Sequence, residues 1–123
     1  MRYLETYLET IENRGNKQLA ESIKKTVDNI APKYLENFSF CDHEIGLLFG
    51  NVQSGKTGQM FGVISAATDL GFPVFLVLTT DNVVLQQQTI ERVREDLKGF
   101  CICDEYDSEM FTENCLMLPT IMF

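Results

Sequence analysis

Apolar residues in the first part of the chain recur at the spacing of amphipathic helices. The pattern i, i+3, i+4, i+7 predicts a helix over residues 2–13. Its apolar positions are Leu4, Tyr7, Leu8 and Ile11. A second stripe predicts another helix, which begins after Asn16, a favourable N-cap, and ends before Pro32. Its apolar positions are Leu19, Ala20, Ile23, Val27 and Ile30. We therefore predict a helical hairpin over residues 1–40, which serves either packing or the docking of a partner.

From residue 45 onwards the pattern changes to short apolar runs that alternate with helical stretches. The runs resemble buried parallel strands and cover residues 45–49 (IGLLF), 73–78 (PVFLVL) and 100–103 (FCIC). Helices are predicted over residues 56–70 and 83–97, and Gly71 suits the end of the first. Residues 105–115 are predicted as a loop or short helix, and residues 118–123 begin another apolar segment. This alternation is typical of a parallel α/β sheet.

The segment GNVQSGKT, residues 50–57, lies between the first apolar run and the helix that follows it. It matches G-x-x-x-x-G-K-T, the phosphate loop, in which backbone N–H groups and a helix N-terminus surround polyphosphate. Gly50 and Gly55 permit backbone conformations and close approaches that side chains would block. Lys56 would reach the β and γ phosphates, and the Thr57 hydroxyl would bind Mg²⁺. We predict that this loop binds a magnesium nucleotide.

Hydrolysis requires an additional acidic residue for Mg²⁺ and a group that orients water. Asp104 and Glu105 follow the third apolar run directly, so they are the candidate magnesium ligand and water-orienting residue. Only one strand–helix unit separates them from Lys56, whereas helicase-like folds place this acidic pair later. The alternative is an acidic loop at the end of a strand.

Two threonines leave the second predicted strand at its carboxyl end. Thr79 and Thr80 begin the segment TTDNVVLQQQTIERVRE, and α/β sheets bind ligands at this edge. Asn82, Gln88 and Arg92 could face the same edge. The alternative is a polar helix start followed by a solvated run of glutamines.

The charge and cysteine content of the chain argue against some classes of function and favour others. The 123 residues have a net charge of −8, so this chain alone is a poor candidate for tight DNA binding through phosphate contacts. No segment has the length and hydropathy of a membrane helix or of a secretory signal. Cys101 and Cys103 would share one face of a strand, and we expect reduced, mostly buried thiols in a cytoplasmic protein.

Residues 45–97, and in part residues 98–123, resemble the ATPase core of the Z-one domain proteins, which are ATP-dependent endonucleases of bacterial restriction and phage-defence type. The resemblance rests on V-Q-S-G-K-T, the small residues of the next helix, the L-x-T strand end and the helix that bears Leu85, Gln88 and Arg92. The chain is more distantly similar to superfamily-two helicases. The resemblance does not extend to the helical hairpin, residues 1–40.

The resemblance implies that ATP is the nucleotide and assigns roles to individual residues. ATP phosphate contacts are implied at Gly50, Ser54, Gly55, Lys56 and Thr57. Gln53 becomes an additional nucleotide contact, and Thr79 and Thr80 become candidates for contact with a DNA strand. It also implies a longer protein with further strands, a later magnesium-binding acidic pair and a second lobe.

We therefore predict an α/β chain with an N-terminal helical segment, residues 1–40, and a partial P-loop NTPase core of RecA or helicase type, residues 41–123. The predicted function is that of an N-terminal fragment of an ATP-dependent DNA-processing enzyme, which binds ATP and Mg²⁺ but needs C-terminal parts for hydrolysis. DNA would be bound through the full-length protein. Alternatives are a compact phosphate-loop kinase or GTPase-like switch that uses Asp104, or a non-catalytic interaction domain. An unpaired sheet edge predicts self-association.

Overall fold

The computed structural model describes residues 2–50, 55–79, 82–104 and 118–123. Its contacts divide the chain into two compact units, Met1–Leu70 and Gly71–Phe123. The first unit contains the phosphate-loop motif, and the second contains the described sheet.

The first unit is built from helices. They are α1 (Tyr3–Asn13), α2 (Lys17–Ile30), a π-helical turn (Ala31–Leu35) and α3 (Lys56–Asp69). Asn16 caps α2 as predicted, because its side-chain oxygen accepts a 3.2 Å hydrogen bond from the Leu19 N–H. Gly71, with a φ of 96°, follows α3 in the left-handed conformation that commonly ends helices.

Helix α3 packs directly on the predicted hairpin. The buried apolar residues are Tyr7 and Ile11 of α1, Ala20, Ile23 and Val27 of α2, and Phe61, Ile64, Ala66 and Ala67 of α3. The carboxylate of Asp69, at the end of α3, accepts hydrogen bonds from the N–H groups of Tyr3 and Leu4 at 2.7 and 3.1 Å. These bonds satisfy amide groups that α1 itself cannot pair. The compact unit therefore extends to Leu70 rather than ending near residue 40.

The apolar run at residues 45–49 differs from its prediction as a buried strand. No strand is assigned there, and Ile45, Leu47 and Phe49 are 88%, 87% and 88% exposed. The reason is that a β-strand needs hydrogen-bonded neighbours, and no described strand pairs with this segment. The hydrophobicity of residues 45–49 indicated a segment that could be buried, but hydrophobicity does not determine whether a neighbouring strand pairs with it.

The second unit contains a small parallel sheet. Its described elements are β1 (Val74–Leu76), α4 (Val83–Asp96), β2 (Cys101–Cys103) and β3 (Thr120–Met122). The strand order is β1-β3-β2, and both pairings are parallel. Ile121 of the central strand is fully buried and is opposite Phe75 on one side and Ile102 on the other. The predicted second and third strands are thus confirmed, and the apolar segment at 118–123 supplies the strand between them.

Helix α4 connects β1 to β2. The side chain of Asn82 caps it by accepting hydrogen bonds from the Val84 and Leu85 N–H groups at 3.0 and 3.3 Å. Ile90 and Val93 are buried, as their spacing predicts. The α/β class is therefore confirmed, while a RecA-like or helicase-like fold stays a prediction. The predicted loop or short helix at 105–115 lies outside the described residues.

The cysteines depart in part from the prediction of reduced thiols. Cys103 is buried and Cys41 is exposed, and neither is in a disulfide, whereas Cys101 is disulfide-bonded. The sulfur atoms of Cys101 and Cys103 lie 3.9 Å apart, which confirms their placement on one face of the strand. Sequence spacing could not show the disulfide, because this bond depends on distances in space.

Within the described ranges, no helix combines the length and the apolar character needed to cross a membrane.

Candidate functional site

The two ends of the phosphate-loop motif meet in the structure. The Lys56 side-chain Nζ donates a 2.8 Å hydrogen bond to the carbonyl oxygen of Gly50, six positions earlier. Lys56 is the first residue of α3, and Gly50 is the first residue of the motif. The ammonium group therefore reaches back to the first residue of the motif.

Gly55 links the loop to the helix in a conformation that favours glycine. Its φ of 78° and ψ of 28° lie in the left-handed region, where a Cβ atom is strained. Its carbonyl accepts the first helical hydrogen bond, from the Gln59 N–H at 3.0 Å. A side chain here would also approach Leu19, since a Cβ atom on Gly55 would lie 2.9 Å from Leu19 Cδ1.

The N-terminus of α3 can receive an anion. The helix has 14 residues, and among the described groups no side chain caps its first turn. The N–H groups of the first turn point away from the helix, and together with the helix dipole they favour negative charge at this end. Thr57, the second residue of α3, is half-buried here. Gln53 and Ser54, which were predicted as nucleotide contacts, lie outside the described residues.

Asp104, the candidate magnesium ligand, belongs to the second unit. It follows β2 directly, and its side chain is 12% exposed. One carboxylate oxygen lies 3.9 Å from the guanidinium of Arg94 on α4. Sequence reasoning did not identify this ion pair, although Arg94 and Asp104 are only ten positions apart. The arginine competes with a cation for the carboxylate, so the magnesium role of Asp104 stays a prediction. Glu105 lies outside the described residues.

Thr79, a predicted DNA contact, is exposed beyond the carboxyl end of β1. Asp104 directly follows β2, so both residues lie beyond the carboxyl ends of parallel strands, with β3 between those strands. Thr80 lies outside the described residues. Asn82, which could have faced this edge, instead caps α4 with its side-chain oxygen.

The described residues contain no group of three or more His, Cys, Asp or Glu side chains that could hold a metal ion. A magnesium nucleotide does not require such a group, because Mg²⁺ is usually held by one or two protein oxygens together with substrate phosphates and water. Of the predicted ligands, Thr57 follows Lys56 in the first turn of α3, and Asp104 follows β2 directly.

The sequence pattern did not predict the contacts between the hairpin and α3. The Tyr7 hydroxyl donates to the Gly58 carbonyl at 3.0 Å, and the Gln59 side-chain amide donates to the Ser22 hydroxyl at 2.9 Å. One signal was present, because glycines at 55, 58 and 62 recur at helical spacing and permit another helix to approach closely.

Comparison of the chain with protein-family models, with curated proteins and with solved structures gives no match. The resemblance to the Z-one domain family therefore stays a prediction.

Proposed function

We propose that residues 50–57 bind the triphosphate of magnesium ATP, and that the chain is the nucleotide-binding part of an ATP-dependent DNA-processing enzyme. The observation that carries this proposal is the hydrogen bond from Lys56 to the carbonyl of Gly50, which closes the G-x-x-x-x-G-K-T motif. It comes with a left-handed Gly55 and an uncapped start of α3.

A phosphate group would offer Lys56 a stronger partner than the Gly50 carbonyl. The lysine now donates to a neutral oxygen, whereas a phosphate oxygen would add the attraction between opposite charges to the hydrogen bond. Lys56 is the first residue of α3, so its ammonium group and the N–H groups of the helix N-terminus would act on the same anion. Binding would therefore exchange the Gly50 carbonyl for phosphate as the partner of the Lys56 side chain.

Magnesium and hydrolysis would use the other predicted residues. The Thr57 hydroxyl would hold Mg²⁺, which neutralises phosphate charge when bound. Asp104 would act as the second protein ligand, and Glu105 would orient the attacking water. Lys56 would stabilise the negative charge that develops on the transferred phosphoryl group. We propose that turnover requires parts of the full-length protein beyond this pair of units.

The proposed DNA substrate depends on the full-length protein. The net charge of −8 disfavours phosphate contacts by this chain alone. Thr79 and Thr80 would contact a DNA strand once other parts of the protein supply the basic surface. We place this activity in the cytoplasm.

Thermal unfolding with magnesium ATP tests the nucleotide site. Saturation at 100 times the Kd stabilises a protein by about 2.7 kcal/mol, so the melting temperature should rise by several degrees. Lys56→Ala should abolish the rise because it removes the phosphate contact. Lys33→Ala is the matched control, since Lys33 is an exposed lysine of the same unit and should leave the rise unchanged. The proposal is wrong if calorimetry also detects no ATP binding by the wild-type chain.

A further inference from the structure

Helix α2 contacts the backbone of the phosphate-loop region at glycine positions. The Leu19 side chain lies against both Gly55 and Gly58, since Cβ atoms there would be 2.9 Å from its Cδ1 and 3.8 Å from its Cδ2. One turn further along each helix, a Cβ atom on Gly62 would overlap Ile23 Cγ2. The three glycines therefore form the surface on which α2 lies.

The position of Leu19 is itself fixed by the start of α2. Its N–H donates a 3.2 Å hydrogen bond to the side chain of Asn16, the N-cap residue. The next residue, Ala20, is buried, and Ile23 is fully buried one turn later. Leu19 itself is half-buried. The Asn16 cap fixes α2 before Leu19, and the buried Ala20 and Ile23 fix it after Leu19.

Leu19 occupies the space beside the residue that joins the loop to the helix. Gly55 has the left-handed backbone conformation, and Lys56 follows it directly. A loop binds phosphate well when its N–H groups already point at the ligand, because ordering them on binding lowers affinity. Contact with Leu19 restricts how far Gly55 can rotate, so it holds the first turn of α3 and the lysine in place.

We infer that Leu19 is a positioning residue for the phosphate loop, and that the helical hairpin is consequently part of the nucleotide site. This inference rests on the proposed nucleotide function. It gives the predicted packing role of the hairpin a specific consequence for the loop. Because coupling between two sites is reciprocal, nucleotide binding would also strengthen the packing of α2 on α3.

Two alanine variants in the same helix distinguish positioning from general stability. Leu19→Ala removes the contact with Gly55, whereas Val27→Ala opens the far end of the same interface, where Val27 is buried near Gly62. We expect Leu19→Ala to weaken magnesium ATP binding about fivefold or more, in the range typical of coupled sites. Val27→Ala should lower the melting temperature at least as much but leave ATP affinity unchanged. Leu19→Met should restore most of the affinity.

Hydrogen exchange without nucleotide gives a readout that does not depend on the proposed function. Leu19→Ala should speed amide exchange in peptides that cover the start of α3, while Val27→Ala should speed exchange around Gly62. If wild-type protein binds no ATP, the nucleotide proposal fails, and the exchange pattern alone decides whether Leu19 positions the loop. Equal effects of the two variants on both affinity and exchange would overturn the inference.

Discussion

The hydroxyl group of Tyr7 donates a 3.0 Å hydrogen bond to the carbonyl oxygen of Gly58, two residues after the phosphate-loop lysine. The bond connects α1 to α3 across 51 positions of sequence, and Tyr7 is only 1% exposed. The Tyr7 ring also packs edge-on against Phe61, with centroids 6.3 Å apart. The N-terminal hairpin and the helix that follows the loop therefore share one core.

Tyr7→Phe should lower the free energy of unfolding by about 1 kcal/mol, the usual net value of one intramolecular hydrogen bond. The ring remains, so its packing against Phe61 is kept and only the bond to Gly58 is lost. Urea unfolding measures the change. Tyr34→Phe is the control, because Tyr34 is 54% exposed and should give the wild-type value. Equal stability of the two variants would show that the buried bond contributes nothing.

Gly62→Ala should destabilise the protein, although alanine in a helix is usually favoured over glycine by about 1 kcal/mol. The new methyl group would overlap Ile23 Cγ2, and Ile23 is fully buried and cannot move aside. Overpacking of this kind typically costs about 1–3 kcal/mol.

A double-mutant cycle with Ile23→Ala tests this cause. The double variant should lose less stability than the sum of the single losses, since the smaller side chain removes the overlap. Additive losses of unfolding free energy, measured by urea unfolding, would mean that the side chains at the two positions do not interact.

Thr57→Ala should reduce the part of ATP affinity that depends on Mg²⁺. The hydroxyl is the predicted protein ligand on α3, while Lys56 would contact phosphate with or without the metal. Titration of each variant with ATP, in Mg²⁺ and in EDTA, separates the two contributions. Thr57→Ser keeps the hydroxyl and should behave as wild type. If Mg²⁺ changes the ATP affinity of Thr57→Ala as much as that of the wild type, Thr57 is not a magnesium ligand.

Asp104→Asn tests whether this carboxylate serves catalysis or only the ion pair with Arg94. If it binds Mg²⁺, the variant lowers ATP turnover by the full-length protein far more than Arg94→Ala does. If it serves the ion pair alone, both variants change stability by less than about 1 kcal/mol, because Arg94 is half exposed, and neither changes turnover.

Self-association through an exposed sheet edge stays a prediction that light scattering can test. Strand β1 is an edge of the described sheet, and Leu76 on it is 65% exposed. Leu76→Lys should shift the chain towards monomer because a charge at an edge strand opposes pairing. Val84→Lys is the control, since Val84 is equally exposed but lies on α4. A monodisperse wild-type monomer would contradict the prediction.

Local patterns predicted the helices well because their signals lie close together in sequence. Asn16 and Asn82 mark the starts of α2 and α4 through hydrogen bonds to N–H groups two or three residues away. Gly71 marks the end of α3 for a similarly local reason. The phosphate-loop motif was evident for the same reason, since its spacing defines it.

The failures concern partners that are distant in sequence. The apolar run at 45–49 has the composition of a buried strand, but its residues are exposed. Composition alone does not determine whether another strand lies beside the segment and pairs with it. The position of β3 between β1 and β2 was not predicted, because strand order depends on pairing across many residues. The Arg94–Asp104 pair also required the turn from α4 into β2 to bring the two charges together.

The sequence by itself determined the α/β class, the α-helices α1 to α4 and the placement of G-x-x-x-x-G-K-T before a helix. Tertiary structure alone decided that the N-terminal hairpin packs on that helix, with Leu19 against Gly55 and Tyr7 bonded to Gly58. The physical reason is that propensity, capping and glycine conformation act over a few residues. A helix–helix contact depends on how side chains far apart in the chain fill the same space.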